Sequence, residues 1–265
     1  MTRALLGLLL AGAIALPPAL GQELTGTLKK IKDSGTVVIG YRESSIPFSY
    51  LNAAKRPIGY SIDLCLEIVE EAKDALGVED LDVKYVAVNP ENRIDMVASG
   101  KVDLECGSTT NNLERQKRVA FSPVIFVSGT KLVVRRPVTV KSYKDLKGKV
   151  VAVTAGTTNE QALKALSEKQ KLGLKFAVVK DHAQGFALIE KGKADAYATD
   201  DVLLYGLIAK SGRAKEFQVV GDFLSYDPYG IVYRKGDPAF AEVVQDAFER
   251  LAASRELEQT YNKWF

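Results

Sequence analysis

The chain has 265 residues, with 36 lysines and arginines against 33 aspartates and glutamates, and 46% apolar side chains. A formal charge of +3 argues for neither a nucleic-acid surface nor a polybasic membrane patch. One histidine and two cysteines rule out a histidine-based zinc site or a pair of catalytic histidines, and the length fits one large or two moderate domains.

Residues Met1 to Gly21 have the parts of a secretory signal peptide. Arg3 supplies the positive start, Ala4 to Leu16 the apolar run, and Ala19-Leu20-Gly21 small residues before a cut at Gln22. A membrane-spanning helix needs about 20 apolar residues, so the segment is expected to be removed and the mature protein exported. No cysteine follows to carry a lipid anchor. Export permits disulfides, and Cys65 and Cys106 read either as a bridged pair or as two buried thiols.

From Thr36 onward strands and helices alternate. Thr36 to Tyr41 predicts a strand, Ser61 to Leu76 a helix closed by Gly77, and Val83 to Val88 a second strand. Pro90 is expected to open a helix through Ala98, with Gly100 just past its end. Leu104 to Cys106 predicts the third strand, and Asn111 with Glu114 a capping box that starts a helix near Asn111. This spacing predicts an α/β fold around mostly parallel sheets.

A second set follows the long apolar segment Val124 to Val134, which is broken at Ser128-Gly129. Strands are expected at Lys149 to Val153, Lys175 to Val179 and Ala194 to Ala198, with helices at Thr158 to Gln170, His182 to Glu190 and Asp201 to Lys210. Tyr229 to Tyr233 predicts another strand. Pro238 to Phe265 reads as one helix, burying Leu251, Leu257, Tyr261 and Trp264.

The two sets echo each other. Gly100-Lys101-Val102-Asp103 leads from a helix into a strand, and Gly192-Lys193-Ala194-Asp195 does the same. Ser108 and Asp200 stand at equal distances beyond the two aspartates. Such an echo predicts two similar lobes, each offering its strand ends to a cleft between them.

Binding groups gather at those ends. Glu105-Cys106-Gly107-Ser108-Thr109-Thr110-Asn111-Asn112-Leu113-Glu114-Arg115 brings hydroxyls, backbone N–H groups and a guanidinium to one strand end, which suits a carboxylate or a zwitterion. Such clusters also serve as ordinary turn and cap chemistry. Gly156-Thr157-Thr158 makes a second anion-favouring turn, with capping boxes from Thr157 and Glu160 or Thr158 and Gln161. Arg42, Arg93 and Arg115 all follow strand ends on one edge. His182 follows the cap residue Asp181, and Asp200 and Asp201 open the next helix. No nucleophile motif, phosphate loop or paired cysteine motif is present, so recognition is favoured over turnover.

The runs Gly40-Tyr41-Arg42-Glu43-Ser44-Ser45, Pro47-Phe48-Ser49-Tyr50, Gly59-Tyr60-Ser61, Asn92-Arg93-Ile94, Glu105 through Asn112, Glu114-Arg115-Gln116-Lys117, Gly156-Thr157-Thr158 and Lys180-Asp181-His182 carry a resemblance across nearly the whole mature chain. They resemble periplasmic glutamate/aspartate-binding proteins of ABC transporters, in solute-binding protein family 3. The resemblance implies a two-lobed periplasmic binding protein of type II fold, without a cofactor or catalytic residues. Lobe 1 would comprise residues 22–128 and 227–265 and lobe 2 residues 129–226, with crossings near Val127 to Thr130 and Leu224 to Asp227. It implies a monomer that closes on an acidic amino acid and delivers it to a membrane permease.

The resemblance also implies roles. Arg115, helped by Thr110 and Thr158, would grip the α-carboxylate; Ser108, Thr110 and Asp200 would take the α-ammonium; Arg42, Arg93 and His182 would hold the side-chain carboxylate. One position departs. Pro90 stands where the family places a serine, which opens the choice between glutamate and aspartate. Two alternatives remain on the sequence: a receptor for glutamine or another polar amino acid, with Arg42 or Arg93 turned from the cleft, and a periplasmic dehydratase using His182 or Asp200.

Overall fold

The computed structural model describes residues 24–137 and 139–265, so the signal-peptide segment lies outside the described residues. Two five-stranded sheets organise the chain, and the three parallel strands of each lie in the same order, second–first–third. In the first, Thr36–Tyr41 pairs in parallel with Asp82–Ala87 and with Leu104–Glu105. Val232–Arg234 then joins Leu104–Glu105 antiparallel, and Val119–Phe121 closes that side, also antiparallel. In the second, Val150–Thr154 pairs in parallel with Lys175–Val179 and Ala196–Asp200, while Thr130–Arg135 and Phe217–Val220 are added antiparallel. Each sheet is mixed, with four strands running one way and the fourth in spatial order running against them. Strand–helix–strand crossovers account for three strands of each; of the other two, only the inner one, Val232–Arg234 or Thr130–Arg135, runs the opposite way.

Burial follows the two-residue period of the strands. In the second sheet Val151, Val153 and Leu163 belong to one core, whereas Ala152, Tyr197 and Phe186 belong to the core on the other face. The first sheet is covered by Gly26–Ser34, Tyr60–Leu76 and Pro238–Ser254 through Ile31, Ile39, Leu64, Ile68, Phe240 and Leu251. A smaller cluster of Val88, Val97, Val102, Val119 and Val232 lies under the helix Arg93–Ala98.

The internal echo has a physical cause. Gly100 and Gly192 take positive φ of 72° and 63° to leave their helices. The aspartate that follows each then clamps the neighbouring strand. Asp103 accepts from the Val38 N–H at 2.9 Å and Asp195 from the Val150 N–H at 2.8 Å, while each donates its own N–H to the carbonyl of the same residue at 2.8 Å. Strand registry is thus fixed identically in both sheets, which brings Ser108 and Asp200 to matching places.

Phe126–Ser128 and Asp227–Tyr229 run antiparallel to one another between the sheets. Gly129 permits this close passage, because a Cβ there would lie 2.3 Å from the Ser225 carbonyl oxygen.

Several boundaries differ from expectation. The regular helix after Pro90 begins at Arg93, because the Asn89 side chain first caps a turn by accepting from the N–H groups of Glu91 and Asn92, both at 3.0 Å. Asn112, not Asn111, caps the short helix Leu113–Gln116, accepting from the Arg115 N–H at 2.9 Å. The predicted strand Tyr229 to Tyr233 splits at Gly230-Ile231 between the connecting strand and the sheet. The C-terminal helix breaks at Arg255, whose φ is 64°, into Pro238–Ser254 and Glu256–Trp264. That break lets Trp264 Nε1 and Lys263 Nζ each reach Asp63 at 2.7 Å and sets Phe265 on Phe126 at 4.8 Å between ring centroids. Leu251 is buried, Leu257 and Trp264 are partly buried, and Tyr261 stays 43% exposed.

Cys65 and Cys106 form a disulfide, which settles the two alternatives. Both are fully buried, so the bridge ties the helix Tyr60–Leu76 to the chain just past Leu104–Glu105, at the start of the hydroxyl-rich run. Closing a loop of 41 residues removes about 4 kcal/mol of unfolded-state entropy on the chain-entropy account. Replacing both cysteines with serine is expected to lower the unfolding free energy of the ligand-free protein by about 2–4 kcal/mol. A urea titration reads this directly, and an unchanged midpoint would mean that the bridge contributes nothing to stability.

Candidate ligand-binding site

The strand ends of both sheets meet in one enclosed space. Arg42, Arg93, Ser108, Thr110, Thr158, His182 and Asp200 line it, together with Thr157, Asn159 and Leu203. Seven of the eight residues expected at the site therefore converge. Arg115 stands just behind, with Nη1 donating to the Thr110 carbonyl at 2.8 Å and Nη2 to the Gly156 carbonyl at 3.4 Å.

The space is small, ≈ 10 Å³, about what one water needs, because the lobes are shut on each other. A Cβ on Gly156 would lie 2.9 Å from the Pro90 carbonyl oxygen, and one on Gly206 would lie 2.6 Å from the Ile46 carbonyl oxygen. The Ala183 N–H donates to Ser44 Oγ across the same seam at 3.3 Å. Admission of a solute requires the lobes to part. A larger hollow of ≈ 640 Å³ lies beside Phe126–Ser128, lined by Phe126, Val127, Tyr205, Phe223 and others, but no cations converge on it.

The interior divides into two halves of different character. In one, polar atoms are left open. Arg42 is only 1% exposed and Arg93 2%, yet Arg42 Nη1, Arg93 Nε and Ser108 Oγ have no partner among the described residues. Arg93 Nη1 does donate to the Ser108 carbonyl at 3.1 Å and to Thr109 Oγ1 at 2.6 Å. The Thr109 hydroxyl in turn donates to Glu105 Oε2 at 2.5 Å, which leaves Glu105 as the buried counter-charge behind the arginines. Burial, with Arg93 second, pushes the Arg42 guanidinium down to about 9, with Glu105 opposing; Arg93 is lowered by burial as well. Both remain charged at neutral pH. His182 completes this half, its pKa held well below the usual value first by burial and then by Arg42 and Arg93, so the ring is neutral.

The other half is closed on itself. Thr110 Oγ1 and Thr158 Oγ1, from opposite lobes, both donate to Asp227 Oδ1, at 3.1 and 2.8 Å. Asp200 accepts from Asn159 Nδ2 at 2.8 Å and from the Tyr229 hydroxyl, and caps no helix N–H with its side chain. Burial first, and Asp227 second, push its carboxyl up to about 7. Arg115 is lowered to about 9 by burial and by Arg93.

Several members of the site had no role in the sequence reading. Glu105 stood at the start of the hydroxyl-rich run without an assignment, though a carboxylate beside three arginines was the available signal. Asp227 stood at an expected crossing. Asn159, Tyr197 and Tyr229 gave none, since each read as part of an ordinary helix or strand.

The family of bacterial extracellular solute-binding proteins, family 3, matches residues 37–265. The L-glutamate/L-aspartate-binding protein of Pseudomonas aeruginosa is 47% identical over 262 residues, spanning 98% of this chain and 87% of that protein. The glutamate/aspartate import solute-binding protein of Escherichia coli K12 is 41% identical over 262 residues, spanning 99% and 87%. A mutant of ArgBP from T. maritima has the same fold, with a TM-score of 0.80 at 27% identity over 90% of this chain and 98% of that one. The chain belongs to family 3 of the bacterial extracellular solute-binding proteins.

Proposed function

We propose that the protein is a monomeric periplasmic receptor that captures glutamate or aspartate between its lobes and delivers it to an ABC-type permease. The observation that carries this reading is the buried, incompletely partnered guanidinium pair of Arg42 and Arg93 facing a buried carboxylate, Asp200. Buried cations need anions, and a buried carboxylate needs a cation. A dicarboxylic amino acid supplies both kinds. Relatives named for glutamate and aspartate support the same ligand class.

The side-chain carboxylate goes to Arg42, Arg93 and His182, and the ammonium to Asp200 with Ser108 and Thr110. The α-carboxylate goes to Arg115, where it replaces the Thr110 and Gly156 carbonyls as acceptor and takes the Thr110 and Thr158 hydroxyls from Asp227. Lobe 1 is residues 22–128 with 227–265 and lobe 2 residues 129–226, with the paired strands Phe126–Ser128 and Asp227–Tyr229 as the hinge. Residues 1–21 act as the export signal. Pro90 is buried, and its carbonyl abuts Gly156, so it shapes the seam of closure rather than offering a hydroxyl to the ligand.

Calorimetric titration of glutamate, aspartate and glutamine into protein stripped of solute by unfolding and refolding tests the ligand class. A dicarboxylate is expected to bind at micromolar or better, about −8 kcal/mol, with glutamine much weaker; glutamine binding as well as either would overturn the reading.

Asp200 makes a second, signed prediction. Its pKa of about 7 without ligand lies above the unfolded value of about 3.9. Its contribution to stability is thus fully present below the unfolded value and lost as pH rises through about 7. An ammonium beside it lowers the pKa again, so binding at about pH 6 releases close to one proton and binding at about pH 8.5 releases none. Calorimetry in two buffers of different ionisation enthalpy reads the difference, which is expected to vanish in Asp200→Asn.

Closure can be tested apart from the site. Gly206 lies within the helix Asp201–Ser211, where alanine is favoured over glycine by up to about 1 kcal/mol. Its Cβ would meet the Ile46 carbonyl only when the lobes are shut. Gly206→Ala is expected to leave the ligand-free protein at least as stable and to weaken binding about tenfold or more. Unchanged affinity would show that this contact is absent from the bound state.

A further inference from the structure

His182 is the single histidine of the chain, at the first turn of the helix His182–Glu190. Its Nδ1 lies 2.8 Å from the Tyr197 hydroxyl, with Thr199 Oγ1 more distant at 3.5 Å. The Tyr197 hydroxyl is in turn 2.9 Å from Thr154 Oγ1. Thr154, Tyr197 and Thr199 are wholly buried. Gly185 makes the arrangement fit: a Cβ there would lie 2.4 Å from the Tyr197 ring, so the helix rests directly on the ring beneath its own histidine.

Two hydroxyls and a ring nitrogen in a row can be hydrogen-bonded in two directions. Suppose that Nδ1 donates to Tyr197, and Tyr197 to Thr154. The Thr154 hydroxyl, whose one side-chain partner among the described residues is Tyr197, then holds a buried proton with no acceptor. Buried donors without acceptors are costly and rare. In the other direction Thr154 donates to Tyr197, Tyr197 donates to Nδ1, and the one proton left over is the ring's own, on a side chain that lines the cavity, where an entering acceptor can take it. The neutral ring then carries its hydrogen on Nε2, which makes no bond among the described residues and belongs to a side chain that lines the cavity.

We propose that Tyr197 is a positioning residue that locks His182 in the Nε2–H tautomer, so that the cavity accepts a side-chain carboxylate and rejects the corresponding amide. The proposal rests on the acidic amino-acid reading above. A carboxylate offers acceptors only, and the wall formed by His182 Nε2–H and the Arg42 guanidinium offers donors only. A carboxamide of the same shape would set its own N–H groups against those donors. With the tautomer inverted, Nε2 would become an acceptor and could take an amide N–H. Specificity therefore depends on a hydroxyl that does not touch the ligand.

Because the chain has one histidine, labelling histidine with nitrogen-15 gives one imidazole, and a two-bond proton–nitrogen correlation reads its tautomer without ambiguity. The wild-type protein is expected to show Nε2–H alone, both without solute and with glutamate bound. An Nδ1–H or doubly protonated ring at neutral pH would overturn the proposal, and this measurement needs no variant. In Tyr197→Phe the second tautomer is expected to appear, and the ratio of glutamate to glutamine affinity to fall about tenfold or more. A changed tautomer with an unchanged ratio overturns the specificity. Wild-type protein that shows Nε2–H but binds neither glutamate nor aspartate overturns the ligand reading and the specificity with it, while the tautomer lock stands.

Discussion

Arg42 and Arg93 hold their charge almost wholly out of water, and the surrounding structure is arranged to tolerate that. Desolvating an ion costs several kcal/mol even after relaxation. Glu105 offsets part of the cost from behind, through Thr109 to Arg93, but its Oε1 has no donor and Arg42 Nη1 has no acceptor among the described residues. The balance is deliberately incomplete on the cavity side. An anion entering there gains more than it would from a pair already satisfied, because the cost of burying the cations is borne by folding rather than by binding.

The scaffold that bears this cost is rigid where the charges sit. The disulfide fixes the chain next to Glu105, and Ser61 Oγ donates to the Gly107 carbonyl at 2.8 Å. Gly107 has no room for a side chain, since a Cβ would lie 2.3 Å from Glu105 Oε1. The run from Glu105 to Thr110 is therefore pinned by a covalent bond, a hydrogen bond and a steric limit at once. Mobility is left to the two connecting strands, where Gly129 lets the backbones cross at close quarters.

Much of this was legible in the sequence because it rests on local signals. The Gly-Lys-x-Asp echo marks a helix end and a strand clamp, both decided within a few residues, and the two residues that it aligns, Ser108 and Asp200, both line the cavity. What escaped depends on distant chain. Nothing near Arg255 announces a break; it is decided by Asp63 and Phe126, far away in sequence, which the last turns reach to meet. The outer strands Val119–Phe121 and Phe217–Val220 belong to the sheets only because other strands present free edges. Tyr197 looks in sequence like one more apolar strand residue, and its hydroxyl acquires meaning only beside His182 and Thr154.

The contacts that shut the cleft and the groups that would recognise a ligand are largely the same atoms. Thr110 and Thr158 come from opposite lobes and meet on one oxygen of Asp227, which sits on a connecting strand. Arg115 reaches from its own lobe to the Gly156 carbonyl of the other. A ligand carboxylate that replaced Asp227 and the carbonyls as acceptor would keep every one of these donors bonded while adding charge complementarity to Arg115. It would thus favour the shut state by the difference between those two sets of acceptors, and a ligand shifts a conformational equilibrium by no more than that difference. Recognition and closure are then one equilibrium, set by which carboxylate the two threonines serve.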